Sequence, residues 1–221
     1  MTYDRRVTLR ELMLVFGATA RVLRDSDRLK DIHLVADITS RGRMAELLAR
    51  ARERGEPEVM RARPEIDETT VDFAALRSLP PDTLGGAYAR HLDRYQLDIH
   101  TDPTSTRFID DADVRYLMHR YRQIHDIWHV LAGVGIAGHE EVLLHAFTLG
   151  QLRLPVSMMI VTLGTLKHIV LERRWTALRA GLLHAYRSGR AAAPLLLVRW
   201  EEHWDRPLAD VRADYNIAPI A

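Results

Sequence analysis

The stretch His125-Asp126-Ile127-Trp128-His129 places two histidines and a carboxylate at helical spacing. On an α-helix, residues four positions apart lie about 40° apart around the axis, and adjacent residues lie about 100° apart. His125, Asp126 and His129 therefore fall within an arc of about 100° and can face one ion. Two imidazoles at this spacing are a recurrent metal-binding pair, and the adjacent carboxylate either ligates the same ion or orients one of the histidines. The pattern predicts a metal site on a helix.

Glu141 completes this site if the chain turns back after the histidines. Gly133, Gly135 and Gly138 predict a turn, and His129 and Glu141 each lie six positions from Gly135. If the two flanking helices pack antiparallel, Glu141 faces the histidines at a similar height. A carboxylate in the first turn of a helix also has a simpler role, because it interacts favourably with the helix dipole. Two nitrogen and one or two oxygen ligands suit Zn²⁺, which we expect first, and also Mn²⁺, Fe²⁺, Co²⁺ or Mg²⁺.

Two further polar residues flank the predicted site. Arg122 precedes His125 by three positions and shares its helix face. It either clamps a carboxylate or phosphate of a substrate or makes an ordinary surface ion pair. His145 lies one turn after Glu141 and is expected either as an extra ligand or as a donor to a ligand.

The segment 154–171 is apolar on nearly all sides, which is typical of a helix in the centre of a core. An alternative is that it forms one wall of a groove for a long apolar ligand. In that case the flexible side chains of Met158 and Met159 adapt to the shape of the ligand and bind it.

Composition limits the class of protein. The chain has 221 residues, enough for one substantial core, and its net charge of +1 gives no electrostatic argument for nucleic-acid binding. It has no cysteine, which excludes disulfides, iron–sulfur clusters and thiolate zinc sites. No apolar run reaches the roughly 20 residues of a membrane span, since the closest, 154–171, contains Lys167 and His168. The N-terminal segment lacks the pattern of a signal peptide. These features predict a cytoplasmic protein that can lie on a membrane without crossing it.

The periodicity predicts an all-α, single-domain bundle of about eight helices over residues 1–221, with the metal site across a helical hairpin. N-terminal helices are expected within residues 1–56, in three segments near 9–23, 29–35 and 43–54. A long helix is expected from Asp111 to about Gly133, and a short one from Leu195 to Trp204. Residues 100–110 form a loop with room for at most a short strand.

Several further segments carry a resemblance to a known family. They are Leu79-Pro80-Pro81-Asp82-Thr83-Leu84-Gly85 with Tyr88, Arg120-Tyr121-Arg122, Leu154-Pro155, Trp200-Glu201-Glu202-His203 and Val211-Arg212. Together with the HDxxH motif, eleven residues and Glu141, they resemble in order the coenzyme Q (ubiquinone) biosynthesis protein 4 family, as a bacterial member, over residues 79–217. Two features depart from the family pattern: Glu140 stands where the family has glycine, and His145 lies outside the motif.

The resemblance implies an all-helical protein at the inner-membrane surface that binds a polyprenylated quinone precursor and other ubiquinone-biosynthesis enzymes. It implies a metal-dependent lyase, a decarboxylase that removes the C1 carboxylate of a 4-hydroxybenzoate-type ring. His125, His129 and Glu141 would hold the ion, with Asp126 as ligand or proton donor and Arg122 as carboxylate clamp. A homodimer is expected from exposed apolar helix faces.

Three alternatives remain open from the sequence. The first is a non-catalytic scaffold that binds prenyl lipid, with a structural or headgroup-binding metal. The second is a metallopeptidase, because HDxxH resembles HExxH, although Asp126 is one methylene shorter than the usual general base. The third is a phosphohydrolase with an HD pair, for which the chain offers no clear upstream histidine and downstream aspartate.

Overall fold

The computed structural model describes residues 7–25, 28–97, 108–170 and 175–220. Within these ranges the backbone forms eleven α-helices, a 3-10 helix at Trp200–Glu202 and no β-strand, which confirms the all-α prediction. Most of the predicted loop at 100–110 lies outside the described residues. The helices are α1 Leu9–Arg24, α2 Leu29–Arg52, α3 Glu58–Ala62, α4 Phe73–Ser78, α5 Leu84–Tyr95, α6 Ala112–Gln123, α7 His125–Ala132, α8 Gly138–Leu152, α9 Pro155–Val170, α10 Trp175–Ala191 and α11 Leu208–Asp214.

Three predicted helix boundaries are wrong. The segments expected near 29–35 and 43–54 form one continuous helix, α2, because the Ser40-Arg41-Gly42 stretch does not interrupt the backbone hydrogen bonds. The long helix expected from Asp111 to Gly133 is divided into α6 and α7 at Ile124, whose φ of −91° and ψ of 0° are not helical. Neither proline nor glycine marks this break, so the sequence carries no signal for it. The helix expected from Leu195 to Trp204 is instead a turn followed by the 3-10 helix.

A hydrophobic core holds the two helices of the predicted site. Trp128 and Phe147, from α7 and α8, are completely buried and meet edge to face, with ring centroids 6.0 Å apart. Such a pair adds to the stabilisation that comes from burying both rings. On the other side α5 packs against α7, and α8 packs against α9 and α10. The site is therefore supported from three sides by packed helices.

The sequence predicted that the apolar helix α9 lies in the centre of the core, but the structure places it at the edge of the core. Only Val156, Ser157 and His168 of this helix are buried, while Met158 is 54% exposed and Val170 is 62% exposed. An apolar sequence does not show how much of its surface neighbouring helices cover, and here α8 and α2 cover one side. None of the helices in the described ranges is long and apolar enough to span a membrane.

Candidate metal centre

The two adjacent carboxylates at the start of α8, Glu140 and Glu141, have different roles at the turn between α7 and α8. Gly133 ends α7 in the left-handed region at φ 73°, which glycine adopts without strain. Glu140 then accepts hydrogen bonds from the backbone N–H groups of Gly135, at 3.0 Å, and Ala137, at 3.1 Å. Glu140 therefore stabilises the start of α8, which leaves Glu141 as the carboxylate that faces α7.

Glu141 lies between the two histidines of α7. Its Oε1 is 3.2 Å from Nε2 of His129, and its Oε2 is 3.6 Å from Nε2 of His125. One potential ligand atom from each of these three residues lies within 4.8 Å of the others. The antiparallel hairpin thus brings together the three residues that the spacing around Gly135 predicted to meet.

The chemistry of these groups fits a divalent cation. His129 is completely buried, and neither ring nitrogen has hydrogen-bond geometry with a residue that the structure describes, although Nε2 lies 3.2 Å from Oε1 of Glu141. A buried polar atom without a partner is unfavourable, and a cation would satisfy it. Two imidazole nitrogens and a carboxylate are a ligand set that zinc sites use, with further positions left for water or substrate.

The carboxylate of Glu141 and the imidazole of His125 stabilise each other's charged forms. Burial acts to raise the pKa of Glu141, but the imidazoles of His125 and His129 hold this pKa well below its usual range. Burial likewise acts to lower the pKa of His125, but Glu141, with a smaller effect of Asp126, raises it above its ordinary value. The carboxylate is therefore ionised, as a metal ligand must be.

Asp126 does not belong to this cluster. Its Oδ1 lies 3.9 Å from Nε2 of His91 on α5, and its side chain is 29% exposed. The side chain of His91 is 8% exposed and stacks on His129, with ring centroids 5.4 Å apart and planes at 26°. Metal ligation and proton donation by Asp126 stay predictions.

His91 is a residue of the site that the sequence analysis missed. The signal was present, because His91 lies three positions after Tyr88 and four before Tyr95, on the face of α5 predicted to be buried. Burial first, and then the neighbouring His129, lower the pKa of His91 to about 4, although Asp126 acts in the opposite direction. His91 is therefore a neutral imidazole beside the cluster.

His145 lies behind His125, where it was expected. The two ring centroids are 5.8 Å apart, and Nδ1 of His145 is 3.2 Å from the hydroxyl of Ser157. Burial first, and then His125, lower the pKa of His145 to about 3. This hydrogen bond connects the site to the start of α9.

Arg122 makes an ion pair, but a buried one. Its guanidinium donates a hydrogen bond to Oδ1 of Asp37 on α2, and Asp37 is completely buried. Burial raises the pKa of Asp37 to about 6, although Arg122 acts to lower it. The ion pair takes up part of the guanidinium, and the clamp role of Arg122 stays a prediction.

The two methionines have different surroundings. Met158 faces outward, while Sδ of Met159 is 3.4 Å from the hydroxyl of Thr19 on α1. A cavity of about 850 Å³ lies elsewhere, between the C-terminal ends of α2, α8 and α10. Neither methionine lines it, so binding of a prenyl tail by Met158 and Met159 stays a prediction.

Comparisons with known proteins agree with the motif resemblance. The sequence model of a family described as "Coenzyme Q (ubiquinone) biosynthesis protein Coq4" matches residues 4–221. The chain is 36% identical over 160 residues to a protein of Uncinocarpus reesii named "Ubiquinone biosynthesis protein COQ4, mitochondrial", covering 72% of this chain and 56% of the relative. It is 30% identical over 211 residues to "Ubiquinone biosynthesis protein COQ4 homolog, mitochondrial" of Drosophila ananassae, covering 95% and 78%.

The extent of these matches differs between relatives. The chain spans little more than half the length of the fungal relative from Uncinocarpus reesii. A crystal structure of a Nostoc punctiforme protein superposes with a TM-score of 0.71 at 24% identity, covering 92% of this chain and 97% of the other. That likeness supports the helical fold.

Proposed function

The chain belongs to the family of the coenzyme Q (ubiquinone) biosynthesis protein Coq4, as its motifs predicted, and from this premise we propose its activity. It acts in ubiquinone biosynthesis as a metal-dependent lyase that removes the C1 carboxylate of a polyprenylated 4-hydroxybenzoate-type intermediate. The observation that carries the proposal is the meeting of His125, His129 and Glu141 across the hairpin.

These three residues would hold the cation. Their two nitrogens and one carboxylate favour Zn²⁺, and Mn²⁺, Fe²⁺, Co²⁺ or Mg²⁺ are the other candidates. When bound, such an ion supplies a Lewis acid for the carboxylate or the phenolic oxygen of the ring. Glu140 does not compete for it, because its carboxylate accepts hydrogen bonds from the turn.

The residues of the chain then have to position the ring and transfer a proton to C1. In the reaction the bond between C1 and the carboxylate carbon breaks, CO₂ leaves, and C1 gains a proton. The net balance is one carboxylate and one proton consumed for one arene and one CO₂ formed. The side chain of Asp126 is partly exposed and lies near His91, outside the three-residue cluster, which would suit a role in proton transfer.

Two outward apolar helix faces suit a lipid substrate and a membrane surface. On α1 and α9 large apolar side chains are exposed, namely Leu9, Leu12, Met13, Phe16, Met158, Leu166, Ile169 and Val170. Large exposed apolar areas mark membrane or protein contacts. We therefore place the protein peripherally on the inner membrane, together with other enzymes of the pathway, and these faces also suit a homodimer.

Release of labelled CO₂ tests the proposal. Zn²⁺-loaded protein in detergent micelles is given 3-prenyl-4-hydroxybenzoate labelled in its carboxylate. The wild type should release label, and Glu141→Gln should lower the rate at least about 100-fold, because loss even of a group that only orients a ligand costs about 10–100-fold. Glu140→Gln is the matched control and should keep the wild-type rate. Tight binding of the compound without release of CO₂ would contradict the lyase and favour the prenyl-lipid scaffold.

A further inference from the structure

The C-terminal end of α7 is bound by a part of the chain that lies 81 positions further on. Arg212 of α11 donates from Nε to the carbonyl of Leu131, at 2.9 Å, and from Nη2 to the carbonyl of Val130, at 2.8 Å. The backbone N–H of Ile220 donates to the carbonyl of Ala132, at 2.7 Å. The last carbonyls of a helix have no partner within the helix. These contacts therefore supply hydrogen bonds that α7 itself lacks.

The segment 215–220, which follows α11, is itself fastened to the helices around α7. The hydroxyl of Ser188 on α10 donates to the carbonyl of Ala218, at 2.6 Å. The side chain of Ile220 packs against a small buried cluster of α8 and α10, which consists of Val142, Leu143 and Leu178. The first residue of this cluster directly follows Glu141 in the chain. The segment thus connects the end of α7 to the turn of α8 that carries the carboxylate ligand.

The helix α7 depends on such external contacts for its position. It has only eight residues, and helices shorter than about 12–15 residues are marginal on their own. Ile124, the residue before it, offers no side-chain cap. Packing of buried side chains holds α7 against its neighbours, and the hydrogen bonds at its C-terminal end set its position along its own axis. A shift along that axis would move His125 and His129 relative to Glu141, whereas a metal site needs its ligands within about 0.5 Å of the productive geometry.

Resting on the metal centre of the proposed function, we propose that Arg212 is a positioning residue of this centre. Through the carbonyls of Val130 and Leu131 it holds α7 at the height where His129 meets Glu141. Its planar guanidinium suits this role, because it donates to two neighbouring acceptors at once and its positive charge favours the C-terminus of a helix. Within the described ranges the half-buried guanidinium has no carboxylate partner, so these carbonyls are its hydrogen-bond acceptors there.

Arg115 on α6 provides a matched control. Its Nε donates to the carbonyl of Ile109, at 3.1 Å, and its Nη2 donates to the carbonyl of Asp110, at 3.0 Å. The same two donor atoms thus bind two successive carbonyls, but these lie in the segment before α6 and outside the helices of the metal centre. Arg115→Met removes the same kind of contact without releasing the end of α7.

The affinity for Zn²⁺, measured by competition with a chelator, tests the proposal without measuring turnover. Arg212→Met should raise the dissociation constant at least about 10-fold, the loss that is typical when a group that orients a ligand is removed. Arg115→Met should keep the wild-type value. Arg212→Lys keeps the charge but not the planar fork, so its affinity should lie between those of Arg212→Met and the wild type.

The visible absorption spectrum of bound Co²⁺ provides a second readout, because it depends on the positions of the ligands around the ion. At saturating Co²⁺, Arg212→Met should show absorption bands that differ from those of the wild type. A loss of global stability alone would leave the spectrum of the folded protein unchanged. If Arg212→Met does not fold, Arg212→Lys replaces it, and a weaker affinity with an altered spectrum is again the expected result.

The outcomes distinguish this inference from the proposed function. Wild-type affinity and a wild-type Co²⁺ spectrum in the folded Arg212 variants would overturn the positioning role and leave the metal centre and the lyase standing. An equal loss of affinity in Arg115→Met would also overturn it, because the effect would then be one of general stability. Failure of the wild type to bind Zn²⁺ would overturn the metal centre and this inference together.

Discussion

Nε2 of the completely buried His129 lies 3.2 Å from Oε1 of Glu141, on the far side of the α7–α8 turn. Eleven residues lie between the two in the chain, and they come together because the chain reverses its direction after Gly133. Glu140 holds the turn through its backbone hydrogen bonds, and Trp128 and Phe147 hold the two helices together behind it. The cluster is therefore preorganised by the fold, which lowers the cost of binding an ion.

Removal of Arg122 should strongly destabilise the protein. In Arg122→Met the buried carboxylate of Asp37 loses its ion-pair partner, and we expect a loss of about 3–5 kcal/mol in the free energy of unfolding. The double variant Arg122→Met/Asp37→Leu should regain most of it, because no charge is left buried. Urea unfolding of the metal-free proteins measures both. A loss under 1 kcal/mol in the single variant would show that the ion pair is not structural.

The double variant also addresses the role of Arg122 as a clamp. If Arg122 binds the substrate carboxylate, a stable double variant should bind 3-prenyl-4-hydroxybenzoate at least about 10-fold more weakly than the wild type. Unchanged affinity would leave Arg122 with a structural role only.

Lowering the pH should remove the contribution that the ionised carboxylate of Glu11 makes to the free energy of unfolding. Both oxygens of this buried carboxylate accept hydrogen bonds from Arg41, and these bonds lower the pKa of Glu11 to about 2. Because the folded-state pKa lies below the unfolded value of 4.5, the contribution is complete above that value and is lost as the pH falls toward 2. The difference in unfolding free energy between wild type and Glu11→Gln should shrink by about 2–3 kcal/mol between pH 6 and pH 2.5.

Urea unfolding over this pH range measures that difference. Glu46→Gln, in an exposed ion pair on α2, is the control and should change stability little at any pH. A difference for Glu11→Gln that does not depend on pH would contradict the assignment.

The helices α8 and α10 lie so close together that a methyl group added to a glycine at their contact should destabilise the protein. A Cβ on Gly189 would collide with the backbone of Phe147, and one on Gly150 would collide with the carbonyl of Tyr186. Gly189→Ala should therefore cost about 1–3 kcal/mol in unfolding free energy. Gly42→Ala, within α2, meets no atom within 4 Å and should instead stabilise by about 0.5–1 kcal/mol. Equal effects of the two substitutions in chemical unfolding would contradict the packing argument.

The exposed faces of α1 and α9 should mediate binding to lipid vesicles. Phe16 is 79% exposed, and replacing it together with Leu12 by glutamine removes apolar area from the face of α1. Co-sedimentation with phosphatidylcholine–phosphatidylglycerol vesicles should fall about 10-fold or more for Leu12→Gln/Phe16→Gln. Leu183→Gln, which alters an exposed leucine on α10, is the control and should bind as the wild type does. Undiminished sedimentation of the double variant would contradict a membrane role of α1.

The sequence contained enough to predict the local parts of the site. Helical spacing placed His125 and His129 on one face, and the glycines around Gly135 placed Glu141 opposite them, because both patterns depend on short-range geometry. The departures from the family pattern also have physical explanations now, since Glu140 caps the turn and His145 bonds to Ser157.

Contacts between distant segments could not be predicted in the same way. The partner of Arg122 is Asp37, which is 85 positions away in the chain, and His91 reaches the site only because α5 packs on α7. The break at Ile124 and the exposure of α9 depend on which neighbours cover each side of a helix. One-dimensional periodicity does not contain that information.

The bound metal content of purified protein tests the central claim most directly. After dialysis against Zn²⁺ and removal of the excess, elemental analysis should find about one ion per chain in the wild type and in Glu140→Gln. His129→Ala and Glu141→Gln should retain less than about a tenth of that amount, with circular dichroism spectra that show an intact helical fold. Full Zn²⁺ occupancy in folded His129→Ala, or none in the wild type, would contradict the assignment of His125, His129 and Glu141 as a metal site.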